Sequence, residues 1–223
     1  MDTAPSHRPQ ALVRHGYQLA IFDFDGTLAD SFPWFIGVLN GVADRYGFNR
    51  VRPDEVEQLR GYDARQIMRH LRVPNWKLPF IANHMRRLMA RDIHGIRLFD
   101  GVPGMLRALN DRGVTIAIVS SNSAANIRAI LGTEAAGHVA HYGCDASLFG
   151  KAAKFRRMLQ MTGIPADRAI GIGDEVRDID AARKLGMGCA AVSWGYARGD
   201  ALAARRPDWL LTRVEEIAGL FGG

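Results

Sequence analysis

Short apolar runs alternate along the chain with stretches of helical spacing, and this alternation limits the fold more than any other feature. The main runs lie at 18–24, 114–120, 168–172 and 188–193, with shorter ones at 138–142 and 208–211. Most are continuous in apolar character, so they predict strands buried on both faces. Between them, 103–113 opens at Pro103 and closes at Gly113, as a helix does. Further helices are expected over 123–131, 151–162, 175–185 and 213–220, the middle two ending at Gly163 and Gly186. Strands separated by helices predict an α/β fold with a parallel sheet covered on both faces. In such sheets ligands sit beyond the carboxyl ends of the strands, near a reversal of strand order.

Residues 31–97 break the alternation. The segments 31–46, 54–60, 63–71 and 79–92 have helical spacing, interrupted by Pro53, Pro74 and Pro79, and none of them reads as a strand. This predicts a helical insertion after the first strand, beside the ligand edge of the sheet. Trp34, Phe35 and Trp76 are expected to pack inside the insertion or between it and the core rather than form a stacking platform.

Composition narrows the function classes. The 223 residues suit one α/β domain with a modest insertion. The first 16 residues lack the apolar stretch of a signal peptide, and no run approaches the roughly 20 apolar residues of a membrane span. Residues 1–16 are expected to be a loose tail, and the location cytoplasmic. The two cysteines, Cys144 and Cys189, lack metal-site spacing and are expected to be reduced and buried. The net charge of +6 is spread without an arginine stripe interleaved with aromatics, which argues against nucleic acid and for a small anionic substrate.

The strands end in chemistry. The first delivers Asp23 and Asp25 followed by Gly26 and Thr27, and the second delivers Ser120, Ser121 and Asn122. The strand at 168–172 delivers Gly173, Asp174 and Glu175, with Asp178 one turn later, and Lys151 opens a helix. Taken singly, several have plain structural readings: Ser120–Asn122 as a helix cap, Lys151 as a solvated charge, Asp174–Asp178 as a helix start. Taken together, three acids, a hydroxyl and a lysine converge on one edge. Two carboxylates about 4 Å apart repel by on the order of 4 kcal/mol at an effective dielectric near 20. A divalent cation such as magnesium, which takes carboxylate and phosphate oxygens, would offset this, with Asp23 and Asp174 as its ligands.

These residues resemble the four motifs of the haloacid dehalogenase superfamily of phosphohydrolases. "DFDGTLADS" (23–31) is similar to its first motif, Ser120 after "TIAIV" to its second, Lys151 in "SLFGKAAKF" to its third and "IGIGDEVRDIDAA" (170–182) to its fourth. "VSWGY" (192–196) resembles a stretch found in phosphoglycolate-phosphatase-like members. The resemblance implies a Rossmann-like three-layer α/β/α core over 17–30 and 98–223, with a small α-helical cap at 31–97. It implies Asp23 as nucleophile, Asp25 as general acid and base, and Ser120 and Lys151 as phosphoryl-binding catalytic residues. It implies Mg²⁺ held by Asp23, by the backbone carbonyl of Asp25, by Asp174 and by Asp178. Thr27 would support the motif's turn, and Thr27, Ser121 and Asn122 complete the expected substrate-binding set with Arg60 and Gly61 of the cap loop "LRGYDARQI" (59–67). Glu175 is left open between the metal shell and a helix cap. The implied activity is hydrolysis of a small phosphate monoester, phosphoglycolate-like or a sugar phosphate, through an aspartyl-phosphate. The alternative is a phosphomutase of the β-phosphoglucomutase type. Asp25 favours ester over carbon–halogen chemistry, because an alkoxide needs a proton to leave and a halide does not. The expected partner is a small phosphorylated metabolite, with no membrane, and the chain is expected to be a monomer or homodimer.

Overall fold

A computed structural model describes residues 16–144 and 150–222. The expected tail, apart from Gly16, lies outside the described residues, as do Ser147, Leu148 and Phe149 ahead of Lys151. In chain order, β1 (Leu19–Phe22) and a two-residue β2 (Ala29–Asp30) precede four helices, α1 (Phe32–Tyr46), α2 (Val56–Leu59), α3 (Ala64–His70) and α4 (Leu78–Arg91). After β3 (Arg97–Leu98) the chain alternates through α5 (Val102–Asp111), β4 (Thr115–Ser120), α6 (Ala124–Gly137), β5 (His141–Cys144) and α7 (Lys151–Thr162). It continues through β6 (Ala169–Gly173), α8 (Val176–Lys184), β7 (Gly188–Val192), α9 (Gly199–Ala203) and β8 (Trp209–Leu211).

Six strands form one parallel sheet in the order β5-β4-β1-β6-β7-β8. Strand order reverses at β1, which lies between β4 and β6, so the carboxyl ends of these three strands flank one crevice. Side chains of β1 alternate between two cores. Ala20 and Phe22 join one with α5, α6 and the C-terminal segment, while Leu19 and Ile21 join the other with α7, α8 and α9. β4 divides in the same way, Ile116 and Ile118 against Ala117 and Val119. The unbroken apolar runs in the sequence are this double burial. At Gly171 on β6 a Cβ would come within 2.8 Å of the Phe155 ring, so the bare backbone lets Phe155 of α7 approach the sheet closely.

Several local features differ from expectation. The insertion is closed at its base by an antiparallel pair, β2 with β3, where Asp30 stands opposite Arg97. Two residues per strand are too few to show a period, so the sequence carries no strand signal there. α6 is interrupted at Gly132 (φ 71°, ψ 171°), where the predicted helix ends, and a second helical stretch runs on to Gly137. The final helix is a run of 3₁₀ turns over Val214–Phe221, and α9 was not anticipated. Cys144 is half-buried rather than buried, at the end of edge strand β5, and no disulfide joins it to Cys189. Trp76 is not packed inside: it is 70% exposed, with the Lys77 ammonium 5.2 Å from its ring centroid. Trp34 does pack against the core and donates from Nε1 to Asp92 (3.1 Å), linking the two ends of the insertion. No helix among the described residues is long and apolar enough to cross a membrane.

Phe155 is fully buried, and it holds α7, whose first residue is Lys151, against the sheet. Phe155→Ala is expected to lower stability by about 3–5 kcal/mol. Urea unfolding followed by circular dichroism measures this as a lower midpoint.

Candidate active site

The site begins where β1 runs out. The Asp23 amide still donates to Ile172 O (2.8 Å), which keeps the backbone in the ladder while the buried carboxylate turns into the crevice. Gly26 then adopts a left-handed conformation (φ 77°), and a Cβ there would lie 2.3 Å from Asp174 Oδ2. Only glycine permits this turn and this close approach together. Just before this turn, Asp25 Oδ2 faces Asn122 Nδ2 (3.3 Å) and Ser120 Oγ (3.5 Å).

Three buried acids, Asp23, Asp174 and Asp178, bring one carboxylate oxygen each within 4.8 Å of one another. Lys151 is the cation inside this group: its Nζ lies 2.5 Å from Asp23 Oδ2 and contacts Asp178 Oδ1. Burial alone would lower the Lys151 pKa, but Asp178 and Asp23 outweigh it and hold the pKa above its ordinary value. Burial, reinforced by the charge of Asp23, pushes Asp174 well above the usual carboxylate range. Asp178 is pushed up to about 6, again by burial first, against the pull of Lys151. Carboxylates under this strain are a fitting seat for a cation. The donor set is all oxygen, which suits a hard divalent ion, so the residues present could hold one.

Each acid is fixed by its neighbours. Asp174 Oδ1 accepts from Thr27 Oγ1 (2.7 Å) and Oδ2 from the Tyr196 amide (2.7 Å). Asp178 Oδ2 accepts from the Glu175 amide (3.0 Å) and so caps α8, while Glu175 pairs with Arg177. Asp25 lies in a different environment. Burial pushes its carboxyl up to about 6, the charge of Asp23 adds to this, and hydrogen bonds from Ser31 and Asn122 pull against it.

The structure gives some of the expected residues other roles. Asp25 was expected to meet the metal through its backbone carbonyl; its carboxylate is not one of the clustered three and faces Ser120 and Asn122. Thr27 was expected to bind substrate. Its side chain is fully buried and spent on Asp174, so it orients an acid instead. The cap of α6 is Ser123, which accepts from the Asn126 amide (3.1 Å); Ser120 Oγ accepts from the Asn122 amide (3.0 Å), Asn122 Oδ1 accepts from the Ser123 amide (2.8 Å), and both side chains also face Asp25. Arg60 donates to Gly195 O (3.0 Å), Tyr196 O (3.1 Å) and Glu57 (2.9 Å), so its guanidinium is committed to the core rather than to a substrate. Gly61 lies against the same contact: a Cβ there would meet Gln58 O at 3.2 Å and Arg198 Cζ at 3.7 Å.

A cavity of about 660 Å³ opens between the insertion and this edge of the sheet. Asp25, Ser121, Asn122 and Lys151 border it on the sheet side; Phe35, Leu39, Ile67, Met68 and Met85 are among its walls on the insertion side.

The loop after β7 was not given a role from the sequence. Its one signal was the stretch "VSWGY". Trp194 Nε1 donates to Thr27 O (3.1 Å), and Tyr196 holds Asp174 through its amide. The Tyr196 hydroxyl shares a 3.1 Å hydrogen bond with Ser31, and its ring meets Phe32 and Phe35 edge-on or tilted. Arg177 was also passed over: it pairs with Glu175, and its guanidinium stands 4.0 Å from Asp23 Oδ2.

A parallel sheet with covered faces, with polar groups from three strand ends and the lysine that opens α7 gathered at its switch point, defines a hydrolase core that uses clustered acids. The chain belongs to the haloacid dehalogenase-like hydrolase family, whose family model matches residues 20–192. It is 32% identical over 203 residues to a phosphoglycolate phosphatase of Synechococcus elongatus, an alignment covering 90% of this chain and 95% of that one. It is 27% identical over 202 residues to a 5'-nucleotidase of Pseudomonas aeruginosa, covering 86% and 89%. Among solved structures, a haloacid dehalogenase-like hydrolase of Streptococcus pneumoniae superposes with a TM-score of 0.76 at 19% identity, covering 93% of this chain and 99% of that one. CbbY of Rhodobacter sphaeroides in complex with phosphate superposes at 0.72 and 20% identity, covering 90% and 96%. At these identities the structural likeness establishes the fold.

Because Arg60 bonds two core carbonyls from the insertion, Arg60→Met leaves them unmet. A stability loss of about 2 kcal/mol is expected, since hydrogen bonds from a charged donor are among the stronger ones. Chemical denaturation gives the value directly, and an unchanged midpoint would show that this contact is idle.

Proposed function

We propose that this enzyme, a phosphoric monoester hydrolase, cleaves a small phosphate ester, phosphoglycolate-like or a sugar phosphate. The proposed reaction uses Mg²⁺ and passes through a phosphoryl group carried on Asp23. One observation carries the reading: two carboxylates two residues apart occupy opposed environments. Asp23 is paired with Lys151 in the acid cluster, and Asp25 faces Ser120, Asn122 and the cavity. Pairs of acids set apart in this way take different chemical roles.

In the proposed course, an Asp23 oxygen attacks phosphorus, the bond to the leaving oxygen breaks, and Asp25 gives that oxygen a proton. Asp25, now ionised, takes a proton from water, which attacks the same phosphorus and releases Asp23 and inorganic phosphate. A pKa raised to about 6 suits a group that must give and then take a proton near neutrality. Lys151 pairs with Asp23 and balances charge on the phosphoryl oxygens. Ser120 and the amides at the start of α6 supply hydrogen bonds to those oxygens. Asp23, Asp174 and Asp178 would hold the divalent ion, which when bound neutralises charge on the phosphoryl group. Residues 31–97 would act as the cap, excluding water from the cavity.

The Synechococcus elongatus phosphoglycolate phosphatase supports the substrate class, and the Pseudomonas aeruginosa 5'-nucleotidase adds nucleoside monophosphates to the panel to be tested. A screen for phosphate release with magnesium tests the reading, and isomerisation without net release would identify a phosphomutase instead. Asp23→Asn is expected to reduce turnover at least roughly thousandfold while the protein stays folded. Activity within tenfold of the parent would remove Asp23 as nucleophile. Asp25→Asn is expected to slow esters with poor leaving groups by about 10²–10⁴-fold, and activated aryl esters much less, because an aryloxide leaves without a proton. Equal slowing of both kinds in stopped-flow or steady-state assays would count against the acid role. Chelation by EDTA should abolish activity, and added Mg²⁺ should restore it.

A further inference from the structure

Helix α4 turns one apolar stripe toward the cavity, with Leu78, Ile81, Ala82, Met85 and Met89 at spacings of three and four. Arg86 is the one charged residue in that stripe, and it also borders the cavity. Its Nε is buried and has no hydrogen-bond partner. A half-buried guanidinium whose Nε is dry and unpartnered carries a desolvation cost, and a leucine or methionine would complete the stripe without it. Two other guanidiniums that border the cavity are committed elsewhere. Arg60 is committed to the carbonyls of Gly195 and Tyr196, and Arg177 is paired with Glu175. Of the acids on the cavity wall, Asp63 caps α3, Glu175 pairs with Arg177, Asp25 faces Ser120 and Asn122, and Asp180 is exposed.

Arg86 is also close to the chemistry through its backbone. Its carbonyl accepts from Asn126 Nδ2 (3.0 Å), which also donates to Asn122 Oδ1 (3.1 Å), and Asn122 in turn faces Asp25 Oδ2 (3.3 Å). Two asparagines therefore fix this turn of α4 relative to the carboxyl proposed to protonate the leaving oxygen. Asp25 and Arg86 border the same cavity, so a group attached to that oxygen would share it with Arg86.

We propose that Arg86 is the specificity residue of this site and that it pairs with a carboxylate carried by the alcohol half of the substrate. This rests on the phosphomonoesterase reading above. The planar guanidinium matches a carboxylate in a bidentate pair. One guanidinium balances the single charge of a carboxylate, whereas a second phosphate would bring a double charge into walls that are otherwise largely apolar. Those walls accommodate the carbon atoms between the ester and the acid.

The test compares kcat/KM for carboxylate-bearing esters (2-phosphoglycolate, 3-phosphoglycerate), uncharged-alcohol esters (glycerol 2-phosphate, phenyl phosphate) and a bisphosphate (glucose 1,6-bisphosphate). Parent enzyme, Arg86→Met and Arg86→Lys are each measured. The parent should favour the carboxylate esters. In Arg86→Met the ratio of carboxylate to uncharged esters should fall by about 100-fold, mainly through KM, the scale expected for losing one partner of a desolvated charge pair. Arg86→Lys should retain part of the ratio and decides the matter if Arg86→Met does not fold. A parent without preference for carboxylate esters overturns the proposal, as does a ratio unchanged in both variants, or a preference for the bisphosphate that Arg86→Met removes. In these cases Asp23-dependent phosphate release from other esters would leave the hydrolase reading standing. If no ester of any class is cleaved in an Asp23-dependent manner, both fall together.

Discussion

Mutual repulsion among buried carboxylates at the end of β1 is the constraint around which the rest of the structure is arranged. Asp23, Asp174 and Asp178 sit nearly dry within a few ångströms of one another, and burial raises the cost of each charge. Lys151 and Arg177 answer part of that charge from the starts of α7 and α8. A parallel sheet reversing at β1 brings these residues together from segments more than a hundred residues apart. Each arrives at the carboxyl end of a strand or the first turn of a helix, so the repelling groups are held by backbone that belongs to the two cores. The double-sided burial of β1, β4 and β6 opposes the electrostatic cost, and for that reason the strands that carry the acids are also the most apolar.

The close contacts around Asp174 show how much of the site depends on absent side chains. Gly26 and Gly195 both present bare backbone to this carboxylate, and a Cβ on either would stand about 2.3–2.4 Å from its atoms. Between them the loop 194–197 reaches over the first turn and holds Thr27 O and Asp174 at once. Arg60 grips the outer side of the same loop through the carbonyls of Gly195 and Tyr196. One short loop therefore joins an acid of the cluster to the helical insertion, and any displacement of the insertion at Arg60 is felt one or two residues from the Tyr196 amide.

Much of this was legible in the sequence for a physical reason. A strand buried on both faces must be apolar throughout, so β1, β4, β6 and β7 stand out, and a polar residue that interrupts or ends such a run, as Asp23 and Asp174 do, is conspicuous. Helix ends at Gly163 and the break at Gly132 follow from left-handed backbone that glycine alone adopts readily. Less was legible where function depends on pairing across space. "RGYD" around Arg60 shows a cation beside a glycine, but nothing local tells whether it faces a ligand or the carbonyls of a distant loop. Thr27 lies in a turn whose sequence signals the turn and not the partner, Asp174, 147 residues away. Arg177 was hidden among charged residues at a helix start, and Trp76 was misjudged because a tryptophan beside a lysine can lie at the surface over the lysine's ammonium. The pair β2–β3 was too short to have a period at all.

Two of the links that tether the helical insertion to the core lie on the cavity's rim at Arg60 and Arg86, and they differ in kind. On one side Arg60 donates to backbone carbonyls of the loop that holds Asp174; on the other, Asn126 donates to the carbonyl of Arg86 and to Asn122. Both use backbone carbonyls as acceptors, and their donors are Arg60 and Asn126, so neither tether depends on the side chains of α1, α3 and α4. The walls formed by α1, α3 and α4 can then vary in size and polarity without disturbing the acid cluster, provided the tethers and the small core around Val51, Leu59 and Leu71 are kept. In this arrangement the chemistry is fixed by the sheet edge and the choice of leaving group by the face of α4. A single charged residue on that face, set among methionines and isoleucine, therefore bears on which alcohol is released rather than on how the phosphorus–oxygen bond is broken.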